Sequence, residues 1–268
     1  MVAFPPCKIN LGLRVLQRRQ DGYHDIDTCF YPVPWTDILE IIPASSFQFT
    51  LTGIPVTSDP EDNLCVKAYR LLQQEFAFGD VEMHLHKIIP SGAGLGGGSS
   101  DAASVLRLLN TVFKQSLSTE TLQTYAARLG SDCAFFADPK PMIGSGRGEI
   151  LEDIRLTLSG KFLVIVKPNI HVSTAEAYAY VVPKVPGVQV RQVVSKDIAL
   201  WKDELINDFE LSVFKQHPVL KSIKESLYRS GAVYASMSGS GAAMFGIFNH
   251  ETDLRSTFSS MTYWASYL

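Results

Sequence analysis

Two stretches of the chain alternate apolar and polar residues, which is the pattern of β-strands. The first, residues 7–16, predicts a half-buried strand whose core face carries Ile9, Leu11, Leu13 and Val15. The Asp21–Gly22 pair that follows is typical of a hairpin turn, and residues 38–43 predict another strand. The second alternating stretch, residues 81–88, places on the faces of a strand the side chains of Val81, Met83, Leu85 and Ile88.

Apolar residues recur at helical spacing in four other stretches, namely 63–76, 101–113, 118–129 and 218–229. Ser118 is a candidate N-cap of the third helix, and Gly130 is its candidate C′ residue. Further strands are predicted at 162–166, 232–237 and 242–248. A composition shift near residues 156–160 divides the chain into two predicted domains, 1–155 and 156–268. Mixed strands and helices predict an α+β fold.

Composition excludes several classes of protein. The chain has 268 residues, 46% hydrophobic and 19% charged, and its net charge of -3 argues against general binding to nucleic acid or a membrane surface. Its four cysteines have no zinc-site spacing, so reduced thiols are expected. No signal-peptide pattern and no apolar run of membrane-spanning length is present. We therefore expect a soluble, cytoplasmic protein.

A glycine-rich loop is the strongest local feature of the sequence. Its residues are Pro90, Ser91, Gly92, Ala93, Gly94, Leu95, Gly96, Gly97, Gly98, Ser99 and Ser100. Without Cβ atoms the backbone can approach a ligand closely, and its amides can converge on phosphate ahead of a helix. Ser99 and Ser100 are suited to capping that helix, donating to phosphate or binding a metal ion. The loop therefore predicts a nucleotide phosphate site.

Three other interpretations of this loop are weaker. A flexible turn is rarely placed between a well-formed strand and a well-formed helix. A Walker A loop ends in Gly-Lys-Ser/Thr, and this loop contains no lysine. Gly92, Gly94 and Gly97 satisfy the dinucleotide pattern GxGxxG, but the nearest acidic residue at the required distance, Glu120, lies in a predicted helix and not at a strand end.

The proline entry, Gly-Leu-Gly core and Ser-Ser exit of the loop resemble the phosphate loop of the GHMP kinases, which are named after galactose, homoserine, mevalonate and phosphomevalonate. Residues 6–11 and 237–242 resemble two further motifs of that superfamily in order and spacing. The segments 8–11, 21–24, 96–98 and 129–132 resemble one branch, whose acceptor is an erythritol derivative carrying cytidine diphosphate. Asp101 departs from that branch, in which asparagine is frequent at this position.

The resemblance implies phosphorylation of the erythritol 2-hydroxyl in the non-mevalonate route to isoprenoids, with ATP as donor and Mg²⁺ as its companion. It also implies a two-domain architecture. The N-terminal domain would resemble domain 2 of ribosomal protein S5, and the C-terminal domain would be ferredoxin-like. The partner implied is a small molecule, with no nucleic acid and no membrane. The sequence does not address the oligomeric state.

Catalytic roles are implied for Asp132 and Lys8. By resemblance, Asp132 is the group that abstracts or orients the hydroxyl proton, and Lys8 either reaches the transferred phosphoryl group or keeps Asp132 ionised. Without the resemblance, Asp132 is an ordinary carboxylate at a helix start and Lys8 a solvated lysine on a strand. No pair of acidic residues suggests a metal site, so water with Ser99 or Ser100 would complete the shell of Mg²⁺.

Substrate roles are implied for six residues, Asn10, Tyr23, His24, Phe30, Thr174 and Tyr178. His24 would bond the cytosine edge, Tyr23 and Tyr178 would stack on the base, and Asn10 would bond hydroxyls. Tyr178 as a helix-face core residue is the alternative. Gly239 and Gly241 would support the phosphate site, with Asn63 and Lys67 near the adenosine end. A nucleotide-binding module without catalysis is the competing hypothesis from another class.

Overall fold

A computed structural model of the chain describes residues 1–56 and 59–268. Its strands are β1 (Val2–Ala3), β2 (Pro6–Arg18), β3 (His24–Thr36), β4 (Ile38–Pro43), β5 (Gln48–Gly53), β6 (Val81–Lys87), β7 (Met142–Ser145), β8 (Ile150–Asp153), β9 (Phe162–Lys167), β10 (Tyr234–Met237), β11 (Met244–Phe248) and β12 (Thr262–Tyr267). Its α-helices are α1 (Leu64–Phe76), α2 (Gly97–Val112), α3 (Thr119–Leu129), α4 (Thr174–Tyr178), α5 (Val190–Val194), α6 (Trp201–Glu204), α7 (Phe209–Gln216) and α8 (Pro218–Arg229). Short 3₁₀ turns lie at Pro60–Asp62, Phe135–Ala137 and Ile198–Leu200.

The chain forms two compact units, each built from separated segments. Unit 1 comprises Met1–Lys8, Pro32–Ser91 and Gly96–Pro139, and unit 2 comprises Ile9–Tyr31, Gly92–Leu95 and Lys140–Leu268. Strand β2 therefore passes from one unit to the other after Lys8, and the glycine loop contributes to both. The predicted boundary at residue 155 stays a prediction.

Unit 1 is a sheet covered by three helices. The strand order is β1-β4-β6-β5, and only β5 runs parallel to its neighbour β6. One face of β6 is buried and the other exposed, residue by residue, as the alternating pattern predicts. The buried face packs with α1, α2 and α3 in a core that includes Tyr69, Leu85, Val105 and Leu109. The helix α2 lies centrally in this core, which fixes the direction of the loop that precedes it.

Unit 2 contains two sheets. One is antiparallel with strand order β10-β11-β9-β12, the order of a ferredoxin-like fold, and α8 packs on β10 and β11. The apolar stripe of α8, formed by Leu220, Ile223 and Leu227, enters the same core as Val164 and Met244. The other sheet has the order β2-β3-β7-β8. The α+β class and the ferredoxin-like expectation are confirmed.

Several local predictions hold, and several are wrong. The helices at 63–76 and 218–229 and the strands at 38–43 and 162–166 are present to within a residue. The turn at Asp21–Gly22 is present, but sequence periodicity missed the 13-residue strand β3 that follows it. Gly130 ends α3 in extended backbone (φ 174°) and not in the left-handed C′ conformation.

Burial corrects the interpretation of the two alternating strands. Both faces of β2 are buried between Cys7 and Leu13, so the strand is not half-buried. In β6 the buried face ends on Lys87, whereas Ile88 is exposed. Among the described residues no helix is long and apolar enough to cross a membrane. All four cysteines, which the structure describes, are buried and free.

Candidate active site

The start of α2 is a feature of unit 1 that is suited to an anion. The helix begins at Gly97, four residues earlier than predicted, and its N-cap is Gly96 in the left-handed region (φ 70°). The prediction that Ser99 or Ser100 caps the helix is therefore wrong, since both lie within its first turn. The first intrahelical bond runs from the Ser100 amide to the Gly96 carbonyl (2.9 Å). The amides of residues 97–99 precede it, so they are free of helical partners and lie at the positive end of the helix dipole.

Neighbouring side chains make glycine necessary at Gly96 and Gly97. A Cβ built on Gly96 would lie 2.8 Å from Phe136 and 3.2 Å from Cε of Lys8. A Cβ on Gly97 would lie 2.9 Å from Nζ of Lys87. Two lysines thus pack directly against consecutive residues of the loop. A side chain at Gly96 would displace the ring of Phe136, and one at Gly97 would displace the amine of Lys87.

The middle of the loop, in unit 2, rests on another part of the chain. A Cβ on Gly94 (φ 74°) would lie 1.9 Å from the carbonyl oxygen of Ser238. The Ser238 hydroxyl donates to the Gly94 carbonyl (2.8 Å), and the Ala243 amide donates to the Ala93 carbonyl (3.0 Å). The turn at residues 238–241, which contains the predicted supporting residues Gly239 and Gly241, therefore holds the loop backbone.

Lys8 and Asp132 form an ion pair in unit 1. Nζ of Lys8 lies 3.3 Å from Oδ2 of Asp132, and the two side chains are 3% and 34% exposed. Lys8 is positioned by β2, and Asp132 by the turn between α3 and the 3₁₀ turn Phe135–Ala137. The ammonium group of Lys8 is buried, and the carboxylate of Asp132 that it contacts is partly exposed. The charged carboxylate is therefore open to a ligand.

The first turn of α2 contacts the segment that carries Asp132. The Ser99 side chain bonds the thiol of Cys133, the residue next to Asp132, and this bond acts to lower the thiol pKa. Burial outweighs it and raises the pKa of Cys133 to about 11, so the thiol is protonated and inert. The Ser100 hydroxyl is buried and has no hydrogen-bond partner in residues 1–56 and 59–268.

A buried charge cluster beneath the loop was missed by sequence reasoning. Lys87 bonds the carboxylates of Asp37 and, at 2.8 Å, Asp101, and all three side chains are almost fully buried. Asp37 also accepts the amide hydrogens of Ile88 and Ile89 (2.5 and 2.8 Å). The available signal was the alternation in β6, because Lys87 falls on the same face as Val81 and Leu85. The cluster ties the end of β6 to the first turns of α2.

Burial dominates the protonation of this cluster. It raises the pKa of Asp101 to about 7, where Lys87 acts to lower the value and Asp37 to raise it. Burial also acts to lower the pKa of Lys87, but the two carboxylates outweigh it and the net direction is upward. Lys87 is therefore charged at neutral pH, and Asp101 is partly protonated near pH 7.

Aromatic residues gather in unit 2. The rings of His24 and Tyr178 stack with centroids 4.6 Å apart and planes 19° apart, and Tyr178 also packs edge-on against Phe209. Burial and, to a smaller degree, Arg18 lower the pKa of His24, so its imidazole is neutral at neutral pH. Tyr23 is 55% exposed, and the guanidinium of Arg147 lies 5.0 Å from its ring. The structure thus brings His24 and Tyr178 together.

The remaining predicted substrate residues have different surroundings. Asn10 is buried, where its side chain donates to Thr28 (3.0 Å) and its backbone amide to the Ser238 hydroxyl (3.3 Å). Phe30 is buried against Gly144, on which a Cβ would lie 2.4 Å from the ring. Thr174 is exposed at the start of α4. Their substrate roles stay predictions.

The sequence predicted a role for Asn63 and Lys67 and none for His171. Asn63 caps α1 through a bond to the Cys65 amide (2.9 Å), and Lys67 pairs with Asp62 (3.2 Å). Their role at the adenosine end stays a prediction. His171 was missed, although its ring would lie 3.2 Å from a Cβ on Gly92. Nothing in the local sequence indicates that contact, because the two residues are far apart along the chain.

Comparisons with known proteins identify the family. The model of the GHMP kinases N terminal domain matches residues 63–138, and that of the GHMP kinases C terminal domain matches residues 190–263. A 4-diphosphocytidyl-2-C-methyl-D-erythritol kinase of Bacteroides thetaiotaomicron is 51% identical over 96% of this chain and 95% of its own. One from Parabacteroides distasonis is 44% identical over the whole of both chains. The chain belongs to the 4-diphosphocytidyl-2-C-methyl-D-erythritol kinase family of the GHMP kinases.

Solved structures agree with this family assignment. A crystal structure of a 4-(cytidine 5'-diphospho)-2C-methyl-D-erythritol kinase matches with a TM-score of 0.84 at 32% identity, over 99% of this chain and 98% of that one. The mevalonate kinase of Methanococcus jannaschii matches with a TM-score of 0.70 at 13% identity, over 100% and 98% of the two chains. The second likeness shows that the GHMP kinase fold is shared, and no more.

Replacing Gly94 with alanine tests the packing of the loop. Because the new methyl group meets the Ser238 carbonyl and φ is positive, we expect Gly94→Ala to lose about 2 kcal/mol or more of unfolding free energy. Gly98→Ala is the matched control, since its Cβ would lie 4.0 Å from the nearest side chain, Leu64. We expect the control to be neutral or stabilised by about 0.5–1 kcal/mol. Equal loss in both variants, measured by urea unfolding, would contradict this account.

The protonation of Asp101 predicts a pH dependence of stability. The pKa of Asp101 is about 7 in the folded chain, and its ordinary value is 3.8. Between these two pH values the folded chain keeps a proton that the unfolded chain has released. The contribution of Asp101 is therefore lost as pH rises towards about 7. Asp101→Asn keeps an oxygen that accepts from Lys87 and removes the titration. We expect the stability of the variant relative to the wild-type chain to rise between about pH 4 and pH 7 and to be constant above that range.

Urea unfolding at a series of pH values measures the effect of Asp101→Asn. Asp253→Asn, an exposed aspartate in unit 2, is the control for the loss of a carboxylate. A constant difference between Asp101→Asn and the wild-type chain across the series would show that Asp101 does not titrate there.

Proposed function

We propose that this chain transfers the γ-phosphoryl group of ATP to the 2-hydroxyl of 4-diphosphocytidyl-2-C-methyl-D-erythritol, releasing ADP and the 2-phosphate. This reaction belongs to the non-mevalonate route to isoprenoid precursors. Full-length identity of 44–51% to proteins named for this kinase activity supports the proposal. The observation that carries it is the Lys8–Asp132 ion pair, since a phosphoryl acceptor site needs a base beside a cation. A cytoplasmic location and action without nucleic acid or a membrane stay predictions.

Asp132 receives the substrate hydroxyl in this proposal. Phosphoryl transfer leaves little covalent chemistry to the protein, so orientation of the alcohol and stabilisation of charge dominate. The exposed third of the Asp132 side chain is open to a hydroxyl group, and Lys8 supplies positive charge 3.3 Å from its carboxylate. Lys8 also lies under Gly96, at the N-cap of α2, so the same ammonium group is adjacent to the phosphate loop.

The loop from Pro90 to Ser100 binds the triphosphate in this proposal. The amides of residues 97–99 point along the axis of α2 towards its N-terminal side, where an anion is favoured. Glycine at 96–98 removes the side chains that would keep phosphate oxygens away from these amides. The turn at residues 238–241 supports the loop at Gly94 without needing to touch ATP.

We expect Mg²⁺ to bind together with ATP. The unpartnered hydroxyl of Ser100 fits a hard-oxygen site, and Ser99 is its neighbour on the first turn of α2. No cluster of three His, Cys, Asp or Glu side chains suited to a metal occurs in the part of the chain that the structure describes. When bound, Mg²⁺ would offset the negative charge of the phosphate groups. We assign Ser100 first and Ser99 second as its protein ligands.

The cytidine end of the substrate is assigned to His24, Tyr23 and Tyr178. A neutral imidazole carries one donor and one acceptor, which suits the polar edge of cytosine. The ring of Tyr178 offers a stacking surface held in place by Phe209. Tyr23 is exposed and is free to fold over a base, and its contact with Arg147 is a weak surface interaction.

Acceptor choice tests the assignment directly. The purified protein, incubated with ATP and magnesium, should release ADP with 4-diphosphocytidyl-2-C-methyl-D-erythritol. Mevalonate and homoserine serve as competing acceptors of other GHMP kinases. Turnover with one of these and none with the cytidine compound would leave the family assignment standing and remove the proposed substrate. Binding of ATP without transfer to any acceptor would favour a nucleotide-binding module.

Asp132→Asn tests the catalytic role. The variant keeps the shape of the side chain and loses its negative charge, so we expect kcat to fall by about 10²–10⁴-fold while ATP affinity is kept. Asp138→Asn is the matched control, because it makes the same change at an exposed position six residues away. Steady-state ADP release gives kcat, and calorimetry gives ATP affinity. Full activity in Asp132→Asn would remove this carboxylate from the chemistry.

A further inference from the structure

The loop at Gly94 depends on the turn at residues 238–241, and the turn itself is held by buried side chains from one short segment. Asn207 is 1% exposed and donates from Nδ2 to two carbonyls, those of Met237 (2.8 Å) and Gly239 (2.9 Å). Its Oδ1 accepts the Phe209 amide (3.0 Å). Both amide hydrogens and the oxygen of the side chain are therefore used, and the two carbonyls that flank Ser238 are fixed.

Glu210 bonds the two residues that precede the same turn, Ser236 and Met237. Its Oε1 accepts the Met237 amide (2.8 Å) and the Ser236 hydroxyl (3.0 Å), and its other oxygen pairs with Lys224. Met237 is thus bonded through its N–H to Glu210 and through its C=O to Asn207. Because both backbone polar groups of Met237 are hydrogen-bonded, this residue has little freedom to rotate. Ser238 is therefore held in one orientation relative to Gly94.

The segment that supplies these side chains also binds β2. The Leu13 amide donates to the Ile206 carbonyl (2.9 Å), and the Asp208 amide donates to the Leu13 carbonyl (2.8 Å). The Asp208 carboxylate accepts the Val15 amide (2.9 Å) and pairs with Arg14 (3.1 Å). Further along β2, the Asn10 amide donates to the Ser238 hydroxyl (3.3 Å). Residues 206–210 therefore link β2 to the turn, and Ser238 of the turn bonds the loop at Gly94.

We propose that Asn207 and Glu210 are positioning residues for nucleotide binding, which act by holding Met237–Gly239 against the loop at Gly94. The proposal rests on the assignment of the loop to the phosphates of ATP. Neither side chain has a polar atom to spare for a ligand, since their contacts are with backbone groups, Ser236 and Lys224. Their effect reaches ATP only through the turn.

Asn207→Asp is the sharpest variant. It is isosteric and replaces a group that donates to two carbonyls with an oxygen that repels them, so the turn loses its anchor while the volume of the core is kept. We expect the affinity for ADP to fall about tenfold or more, since small misplacements of a binding group have effects of this size. The affinity for CDP, the probe of the His24–Tyr178 region, should change by less than about twofold.

Two further variants separate positioning from general stability. Glu210→Gln keeps an oxygen that accepts from the Met237 amide, so it should retain ADP affinity, whereas Glu210→Ala should lose it. Tyr228→Phe removes a bond to the Ala235 carbonyl (3.2 Å) in the same strand, β10, but not at the turn. It should lower Tm and leave ADP affinity unchanged. Should Asn207→Asp fail to fold, the test is the comparison of Glu210→Ala with Glu210→Gln and with Tyr228→Phe.

Calorimetry with ADP and with CDP on each folded variant gives the result. Unchanged ADP affinity in Asn207→Asp and Glu210→Ala overturns the inference and leaves the proposed function intact. An equal loss of ADP affinity in Tyr228→Phe at the same fall in Tm also overturns it, since any destabilisation would then suffice. A wild-type chain that binds no adenine nucleotide overturns both the inference and the proposed function.

Discussion

Close approach of bare backbone to its neighbours is the constraint on which the site depends. At Gly94 the added atom of any side chain would meet a carbonyl oxygen at 1.9 Å, and at Gly97 it would meet the amine of Lys87 at 2.9 Å. These contacts leave no room for a Cβ on the inner side of the loop. The glycines are therefore required by the packing of the protein itself, within each unit, whether or not a ligand is bound. The amides of residues 97–99 precede the first intrahelical bond, so they have no helical partners.

The two lysines beneath the loop show how environment separates similar groups. Lys8 is buried and pairs with the carboxylate of Asp132, which is a third exposed, so the charge of Asp132 is available at the surface. Lys87 is enclosed between two buried carboxylates, so its one positive charge offsets one negative charge, and the raised pKa of Asp101 allows that carboxyl group to hold a proton. Removing one partner from such a buried cluster leaves an uncompensated charge and is costly. Lys8 is therefore suited to chemistry, and Lys87 to holding β6 against α2.

Sequence patterns predicted the elements that carry their own periodicity and missed the contacts that do not. The helices at 63–76 and 218–229 and the buried face of β6 follow from the spacing of apolar residues. The start of α2 could not be placed, because glycine has a low helix propensity and the helix is extended through Gly97 and Gly98 by the packing of its later turns. Strand β3 was missed since both faces are buried at residues 26–30, which leaves alternation only in its last four residues. Lys8, Asp132 and His24 entered as candidates only through a resemblance, and the pairing of Lys8 with Asp132 joins residues 124 positions apart, which no local pattern encodes.

The shared fold of the GHMP kinases separates features made by the backbone from features made by side chains. The fold is shared with a mevalonate kinase at 13% identity, so the strand order and the helix that follows the loop tolerate almost complete replacement of side chains. Features made by the backbone, such as the amides at the start of α2, can therefore be common to kinases with different acceptors. A stack such as that of His24 on Tyr178 is made by side chains alone and lies on surface segments, namely the start of β3 and the short helix α4. Side chains at such positions differ between chains of one fold more readily than the backbone does. In the proposed function, donor binding therefore depends mainly on backbone groups that the fold supplies, and acceptor recognition depends on side chains particular to this chain.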